Sequence, residues 1–380
     1  MRFCLSRTAH GATMPAVCGV LKHNVKKKFE HMTNAELKAL ITKREKAKQP
    51  KIAGMHALSS GTIRIGSICT GWASEAQAFT ELNIPVDHVF GCDILKASKM
   101  FCNGNFKIQT WFDDVFQKDF QNKAQPVDIL SAGFPCQPFS SEGERRGKAD
   151  KRATVIEPIL KYVKRNKPKG VLLENVPGFM HKRHKKLRDI VIKFLMKAGP
   201  YKVQIKVLNS LEFGVPQSRK RVYIVGIRED CAVQDFTWPV PFGTPPITKF
   251  LDKGVTPKHM SDAKLKNVKA CFTAIKKKTG MDPTQHHFII DVGTGRGPSF
   301  RYQQCPTITR TRGAGKEFLD TRTMKLLSTN TFIRLQGSDP TRFDFGMLSE
   351  RQAGALAGNA MTITVVKAVL SKMLNALGMR

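Results

Sequence analysis

The sequence predicts an α/β fold, with an open and mostly parallel sheet followed by a smaller region of different texture. Three observations carry this. Apolar runs of four to six residues recur at 63–68, 88–92, 127–130, 170–173 and 222–226, each too short for a helix and each closed by Gly, Pro, Asp or Glu or by a tight turn. Helix-like patterns stand between several of them, as β-α steps require. From about 229 to 302 strand periodicity lapses into a chain rich in Lys, Thr, Pro and Gly. The expected organisation is a basic extension at 1–60, a catalytic region at 61–228, a recognition region at 229–302 and a return to the catalytic region at 303–380.

Composition limits the function. The 380 residues are 41% hydrophobic, enough for a sizeable core. Lys and Arg number 63 against 30 Asp and Glu, a net charge of +33, which suits a polyanionic partner and nucleic acid before any other. No apolar run approaches the ~18 residues that span a bilayer. Nine cysteines, scattered without a CxxC pair or a His-spaced partner, suggest neither a disulfide framework nor a metal site, and a reducing compartment follows.

Taken in order, the first 29 residues contain no acid, and Lys26–Lys28 and Lys43–Lys48 are dense with charge. Thr33-Asn-Ala-Glu36 is a capping box for a short helix. This arm reads as a solvated basic tail. A DNA-binding or nuclear-import arm in a eukaryotic cell, or an organelle transit peptide, would have the same composition. Ile63–Ile68 alternates as a strand and enters Cys69-Thr-Gly-Trp-Ala-Ser74 before a helix begins near Glu75. Strand, glycine turn and helix present backbone N–H groups to a nucleotide-like ligand, but with no G-x-G-x-x-G there is no cradle for a pyrophosphate. The run 88–92 ends at Asp93, where a carboxylate can accept from ribose hydroxyls, and Trp111–Val115 brings Asp113 and Asp114 to another strand edge, where either could instead cap the next helix.

The run Val127–Leu130 leads into Ser131-Ala-Gly-Phe-Pro-Cys-Gln-Pro-Phe-Ser140. Prolines on both sides of Cys136 fix its backbone at a strand's carboxyl end, which a merely packed cysteine does not need. Glu142–Asp150 is a polar loop, Ala153–Lys164 an amphipathic helix, and Gly170–Leu173 a strand that delivers Glu174-Asn-Val-Pro-Gly178. Cysteine and carboxyl group at adjacent strand ends make a candidate nucleophile and acid. Val203–Leu208 and Val222–Gly226 read as paired strands around Phe213–Arg221, a loop that puts Arg219 and Arg221 on one side of an extended chain. Thr331–Gly337, Leu356–Met361 and an apolar helix from Ile363 to Leu377 close the chain.

In this order, Phe134-Pro-Cys-Gln-Pro-Phe-Ser140, Glu174-Asn-Val176, Gln217-Ser-Arg-Lys-Arg221 and Gly358-Asn359 resemble the S-adenosylmethionine-dependent cytosine carbon-5 DNA methyltransferases, from about Arg64 to the C-terminus. Gly147-x-x-Asp150-x-Arg152-Ala-Thr154 is similar to the family's next loop, with Ala153 where glycine is usual. The resemblance implies a Rossmann-like class I methyltransferase fold with a mixed, mostly parallel sheet and a small target-recognition domain. It implies Cys136, Glu174, Arg219 and Arg221 as catalytic residues. S-adenosylmethionine would lie against Cys69, Thr70, Gly71, Trp72, Asp93, Asp114, Val115, Pro135, Val155, Asn359 and Ala360. Gln137, Ser140, Asn175, Gln217, Arg296 and Arg301 would touch the substrate, with Arg296 or Arg301 reading a base edge or a phosphate. The expected partner is duplex DNA with the cytosine flipped out, met by a monomer without metal. One departure stands out. Where the family commonly has Asp-x-Phe-x-Gly-x-Gly-Gly, this chain has Ser67-Ile-Cys-Thr-Gly-Trp-Ala-Ser74, so an acid and an aromatic ring that pack on the cofactor are lost. Asp93 also stands where Glu is more frequent. Two other functions fit the same motifs, methylation of cytosine in tRNA and a catalytically silent nucleic-acid-binding regulator. The intact Cys136, Glu174, Arg219 and Arg221 speak against the latter.

Overall fold

The structure, a computed structural model, describes residues 61–135, 155–257, 259–293, 297–346 and 348–380. The capping box at 33–36, the loop at 142–150 and the turn centred on Arg296 lie outside them. All the described residues belong to one unit, Ser59–Arg380.

The amino-terminal half alternates strand and helix. β1 (Ile63–Ile68), α1 (Ser74–Glu81), β2 (Val86–Cys92), α2 (Lys96–Asn105), β3 (Ile108–Phe112), α3 (Lys118–Lys123) and β4 (Ile129–Gly133) are followed by α4 (Ile156–Asn166) and β5 (Gly170–Asn175). Then come α5 (Lys185–Ala198), β6 (Tyr201–Asn209) and β7 (Lys220–Arg228). The seven strands form one sheet in the order β3-β2-β1-β4-β5-β7-β6, in which β7 alone runs antiparallel to its neighbours. This is the mixed, mostly parallel Rossmann-like sheet that the motifs implied. Strand β4 is displaced from the run 127–130. It starts at Ile129 and continues to Gly133 because Ser131 and Ala132 still pair with β1 on one side and β5 on the other. Helix α4 likewise runs two residues past Lys164, and Lys167, left-handed at φ 46°, ends it before Pro168.

Alternation along the central strands supplies two cores. Ile129, Leu172 and Val225 face α1 and the carboxyl-terminal helices, while Leu130, Val171, Leu173 and Ile224 face α4 and α5. Burial on both faces explains why these strands read as continuous apolar runs rather than as alternating ones.

Helix α6 (Asp262–Thr279) packs on a second sheet of order β11-β10-β8-β9, formed by β8 (Phe288–Asp291), β9 (Phe300–Tyr302), β10 (Phe318–Asp320) and β11 (Lys325–Leu326). The expected boundary at 302 therefore falls inside this small sheet. β8 pairs with β10 from Phe318↔Asp291 to Asp320↔Ile289, so residues on both sides of 302 share one core. Between β9 and β10 the chain makes α7 (Arg310–Gly315), and it returns to the large sheet through α8 (Thr329–Leu335), α9 (Glu350–Asn359) and α10 (Ile363–Ala376). Helices α7 and α9 touch backbone to backbone. A Cβ on Gly354 would lie 2.3 Å from the Gly313 carbonyl oxygen, and one on Gly358 2.3 Å from that of Thr309, so only glycine fits.

Candidate active site

The carboxyl edge of the sheet gathers the predicted residues. Gly133 at the end of β4 is in register with Glu174 on β5, and a Cβ there would stand 3.6 Å from the Glu174 Oε2. Cys136, three positions further along the chain, lies outside the described residues. Gln137 and Ser140 lie outside them as well. Pro135 is half-buried at the mouth of the loop.

Glu174 is nearly buried, and its Oε1 forms an ion pair with Arg221 Nε at 3.0 Å. Burial pushes this carboxyl above its ordinary range, and the charges of Arg221 and Arg219 oppose that shift. Such a group keeps a proton to higher pH than an exposed glutamate, and can both donate to and accept from a heterocycle. Asn175 accepts from the Val176 N–H at 2.8 Å and donates to the Phe134 carbonyl oxygen at 3.4 Å. It ties the strand end to the start of the prolyl-cysteine loop.

The structure separates the two arginines that the sequence put together. Arg221 faces Glu174, but Arg219 is 3% exposed and spends its guanidinium on three carbonyl oxygens, those of Ile308 at 2.6 Å, Gly358 at 3.2 Å and Ala360 at 2.7 Å. It is a brace that holds the carboxyl-terminal segments against β7, and only its charge reaches Glu174. Gln217 is corrected in the same way. Fully buried, it donates to the Leu335 carbonyl oxygen at 2.7 Å and accepts from the Ile308 N–H at 3.0 Å, which leaves it no substrate to touch.

Several of the residues expected at the cofactor lie on or beside the turn after β1. Cys69, Gly71 and Ala73 are all left-handed, at φ 55°, 53° and 49°. Asp93 accepts from the Gly71 N–H and the Leu95 N–H, both at 2.8 Å. Burial raises the Cys69 thiol pKa, and the charges of Asp93, Cys92 and Asp114 raise it further. Asp114 accepts from the Phe116 N–H at 3.0 Å. Ser74 Oγ donates to the Met361 carbonyl oxygen at 2.9 Å, which brings exposed Asn359 and buried Ala360 beside the turn. Three expected side chains point elsewhere. The Trp72 indole is buried and stacks on Phe101 at 4.0 Å between ring centroids, Val115 is in the core against α4, and the Thr70 hydroxyl is held by Ser67 and Cys92. Only the backbone of these residues can meet a ligand. Val155, just before α4, is 9% exposed and packs in the same core as Val115.

Below the turn, the lost acid at position 67 has an unexpected neighbourhood. Ser67 Oγ lies 3.2 Å from His88 Nε2, and Glu75 Oε1 is 4.0 Å from the same nitrogen. Burial pushes Glu75 up to about 7 and His88 down to about 4, so both are neutral just below neutral pH and no ion pair forms there. Because the folded carboxyl titrates above its ordinary value, Glu75 is harmless to stability below about 4.5 and costs progressively more as pH rises through 7. Glu75→Gln should therefore raise the unfolding free energy at pH 8 by up to about 3 kcal/mol and change nothing at pH 4. Urea denaturation at the two pH values checks this.

Arg301 is exposed on β9, and Arg296 lies outside the described residues. Sequence reasoning missed Gln336, whose buried amide donates to the Ala357 carbonyl oxygen at 2.7 Å and accepts from the Thr362 hydroxyl at 3.0 Å. It also missed Gln77, which joins the Trp72 carbonyl oxygen to Ser338. Gln336 stands at the carboxyl end of α8, and Gln77 on a face of α1 that also buries Ser74 and Glu75. Among the described residues, no group of His, Cys, Asp or Glu could hold a metal, and no single helix is long and apolar enough to cross a membrane.

Comparison with known proteins gives the family. Residues 63–375 match the C-5 cytosine-specific DNA methylase family. Type II methyltransferase M.HaeII of Haemophilus aegyptius is 33% identical over 256 residues, covering 66% of this chain and 75% of that protein. Type II methyltransferase M.NgoBI of Neisseria gonorrhoeae is 33% identical over 244 residues, 63% of this chain and 72% of that one. Among solved structures, the Entamoeba histolytica methyltransferase EhMeth superposes with a TM-score of 0.58 at 18% identity, and S. pombe Dnmt2 methyltransferase with 0.54 at 17%, each over 82% of this chain and 98% of the other. At such identities the superpositions speak for the fold alone. With the family's motifs in order on the family's sheet and a match across most of its length, this chain belongs to the C-5 cytosine-specific DNA methylases.

Proposed function

We propose that this enzyme takes a methyl group from S-adenosylmethionine and places it on carbon 5 of a cytosine flipped out of duplex DNA, through a covalent adduct with Cys136. The observation that carries the reading is the buried Glu174–Arg221 pair beside the end of β4, from which the prolyl-cysteine loop departs. Carbon 5 of cytosine is a poor nucleophile. Addition of the Cys136 thiolate to carbon 6 makes carbon 5 an enamine carbon able to attack an electrophilic methyl group. Loss of the carbon 5 proton then expels the thiolate and restores the ring. The Glu174 carboxyl balances the charge that develops at ring nitrogen 3 and the exocyclic amine, and its raised pKa suits donation to that nitrogen. Arg221 both orients Glu174 and offers a guanidinium to the carbonyl oxygen at position 2. Extracting the base costs a few kcal/mol of stacking and pairing, which contacts to phosphates offset.

The turn at 69–73 fits S-adenosylmethionine, whose role is to supply the activated methyl group. Asp93 uses one lone pair on each oxygen for Gly71 and Leu95 and keeps the others for ribose hydroxyls. Nothing in the turn resembles a phosphate cradle, as a cofactor without phosphate requires. Asp93→Ala should raise KM for S-adenosylmethionine by about 10- to 100-fold, in line with the loss of a charge-assisted pair of hydrogen bonds, and leave kcat within a few-fold. A KM unchanged in steady-state methyl transfer would remove Asp93 from the cofactor site.

A further inference from the structure

We infer that the segment from His181 to Arg188, which leads from the strand end bearing Glu174 into α5, is a grip for the DNA backbone beside the reacting cytosine. The inference rests on the reading above and adds a surface to it. Its sequence is His181-Lys-Arg-His-Lys-Lys-Leu-Arg188, and between Glu174 and Glu212 the only acidic residue is Asp189.

Basic runs usually form solvated faces, and several single basic side chains elsewhere among the described residues have a carboxylate partner. Lys169 pairs with Asp128 at 3.0 Å, Lys202 with Asp235 at 2.7 Å, Arg228 with Asp230 at 2.6 Å, and Arg312 with both Asp291 and Glu317. Lys182, Arg183, Lys185, Lys186 and Arg188 have no carboxylate partner among the described residues, and the first four are exposed. Arg183 Nε donates to His184 Nε2 at 3.0 Å, and His184 is held below its ordinary pKa by partial burial and then by the charges of Arg183 and His181. The positive potential is thus concentrated rather than compensated. Helix α5 also opens with Lys185 and Lys186 in its first turn, without an acid or a capping side chain, the reverse of what its dipole favours. The exposed charges of Lys182, Arg183, Lys185 and Lys186 thus suit an external polyanion.

Position supplies the rest of the argument. The segment follows the short helical turn Pro177–Met180, whose Phe179 packs edge-on against Phe134 at 5.8 Å, and Arg188 reaches back to donate to the Phe179 carbonyl oxygen at 3.3 Å. Phe134 in turn is held by Asn175 at the entry to the prolyl-cysteine loop. The cationic surface is therefore fixed to the same sheet edge as Glu174 and Arg221, where a duplex offering its base to that edge brings its phosphates.

The test removes four charges from the full-length chain, in K182Q/R183Q/K185Q/K186Q, with the charge-keeping K182R/R183K/K185R/K186R as control. Binding to a duplex oligonucleotide is measured between about 50 and 200 mM salt, where each phosphate contact contributes about 0.9 to the log–log slope. The glutamine variant should lose about two to four units of slope and bind at least about tenfold more weakly at the upper salt, with kcat at saturating DNA and affinity for S-adenosylmethionine unchanged. The control should behave as wild type. An unchanged slope overturns the inference, as does a slope lost on single-stranded RNA but not on duplex DNA. Should the wild type methylate no DNA, the proposed function fails on that assay alone, while the slopes still report on this surface.

Discussion

Cys136→Ser should abolish methyl transfer, by about 10³-fold or more, and leave DNA affinity within about twofold. The exchange keeps size and shape, so the loop and the phosphate contacts persist. What changes is nucleophilicity, because a thiol of ordinary pKa about 8.5 furnishes some thiolate near neutral pH and a serine hydroxyl does not. The loop's two prolines and its departure from the strand end paired with Glu174 are otherwise unexplained. Retained turnover in this variant, measured with labelled methyl groups at saturating DNA, would remove covalent catalysis from the account.

The second large effect is expected at the pair that carries the site. Glu174→Gln preserves the side-chain volume and keeps a donor and an acceptor, but the amide can neither carry the negative charge nor give up a proton, so it should lower kcat by about 10²- to 10³-fold, comparable to the loss of one preorganised group in a polar transition-state site. Arg221→Met should do the same to activity and something further to stability. It strips a buried carboxylate of the charge that opposes its raised pKa, so the folded-state value climbs further above the ordinary one. Stability is then retained below about pH 4.5 and falls as pH rises through the folded pKa, so the variant should melt closer to wild type at pH 5 than at pH 8. Adding Glu174→Gln to Arg221→Met should remove that pH dependence. If Arg221→Met melts like wild type at both values, Glu174 is not held by Arg221 in solution.

Much of this was legible because the site sits where strands end. Runs buried on both faces announce central strands, and a Pro, Gly or acid closing each one marks the edge where ligands bind. Hence the strand-end positions of Glu174 and Asp93 were legible in the sequence, while Cys136 lies outside the described residues. What was not legible depends on residues far apart in sequence. Arg219 looks like the twin of Arg221 until folding brings the carbonyl oxygens of Ile308, Gly358 and Ala360 around it. Gln217 has the same history with Leu335 and Ile308. The recognition region was cut at 302 because β10 and β11 are strands of three and two residues, too short to show a period, and their place is set by pairing with β8. Helix α5 was hidden by its lysines, although Val191, Leu195 and Ala198 line its buried face at helical spacing.

The altered turn after β1 bears directly on whether this chain is an active enzyme. Ser67 and Cys69 remove groups that the family's pattern supplies, yet the geometry keeps three left-handed residues and the Asp93 carboxylate in place. The measurement that decides most is transfer of a labelled methyl group from S-adenosylmethionine to duplex DNA and, in parallel, to tRNA, followed by digestion to nucleosides. The account predicts label in 5-methyldeoxycytidine from the duplex and none in the RNA; label confined to tRNA, or to neither polymer, would contradict it.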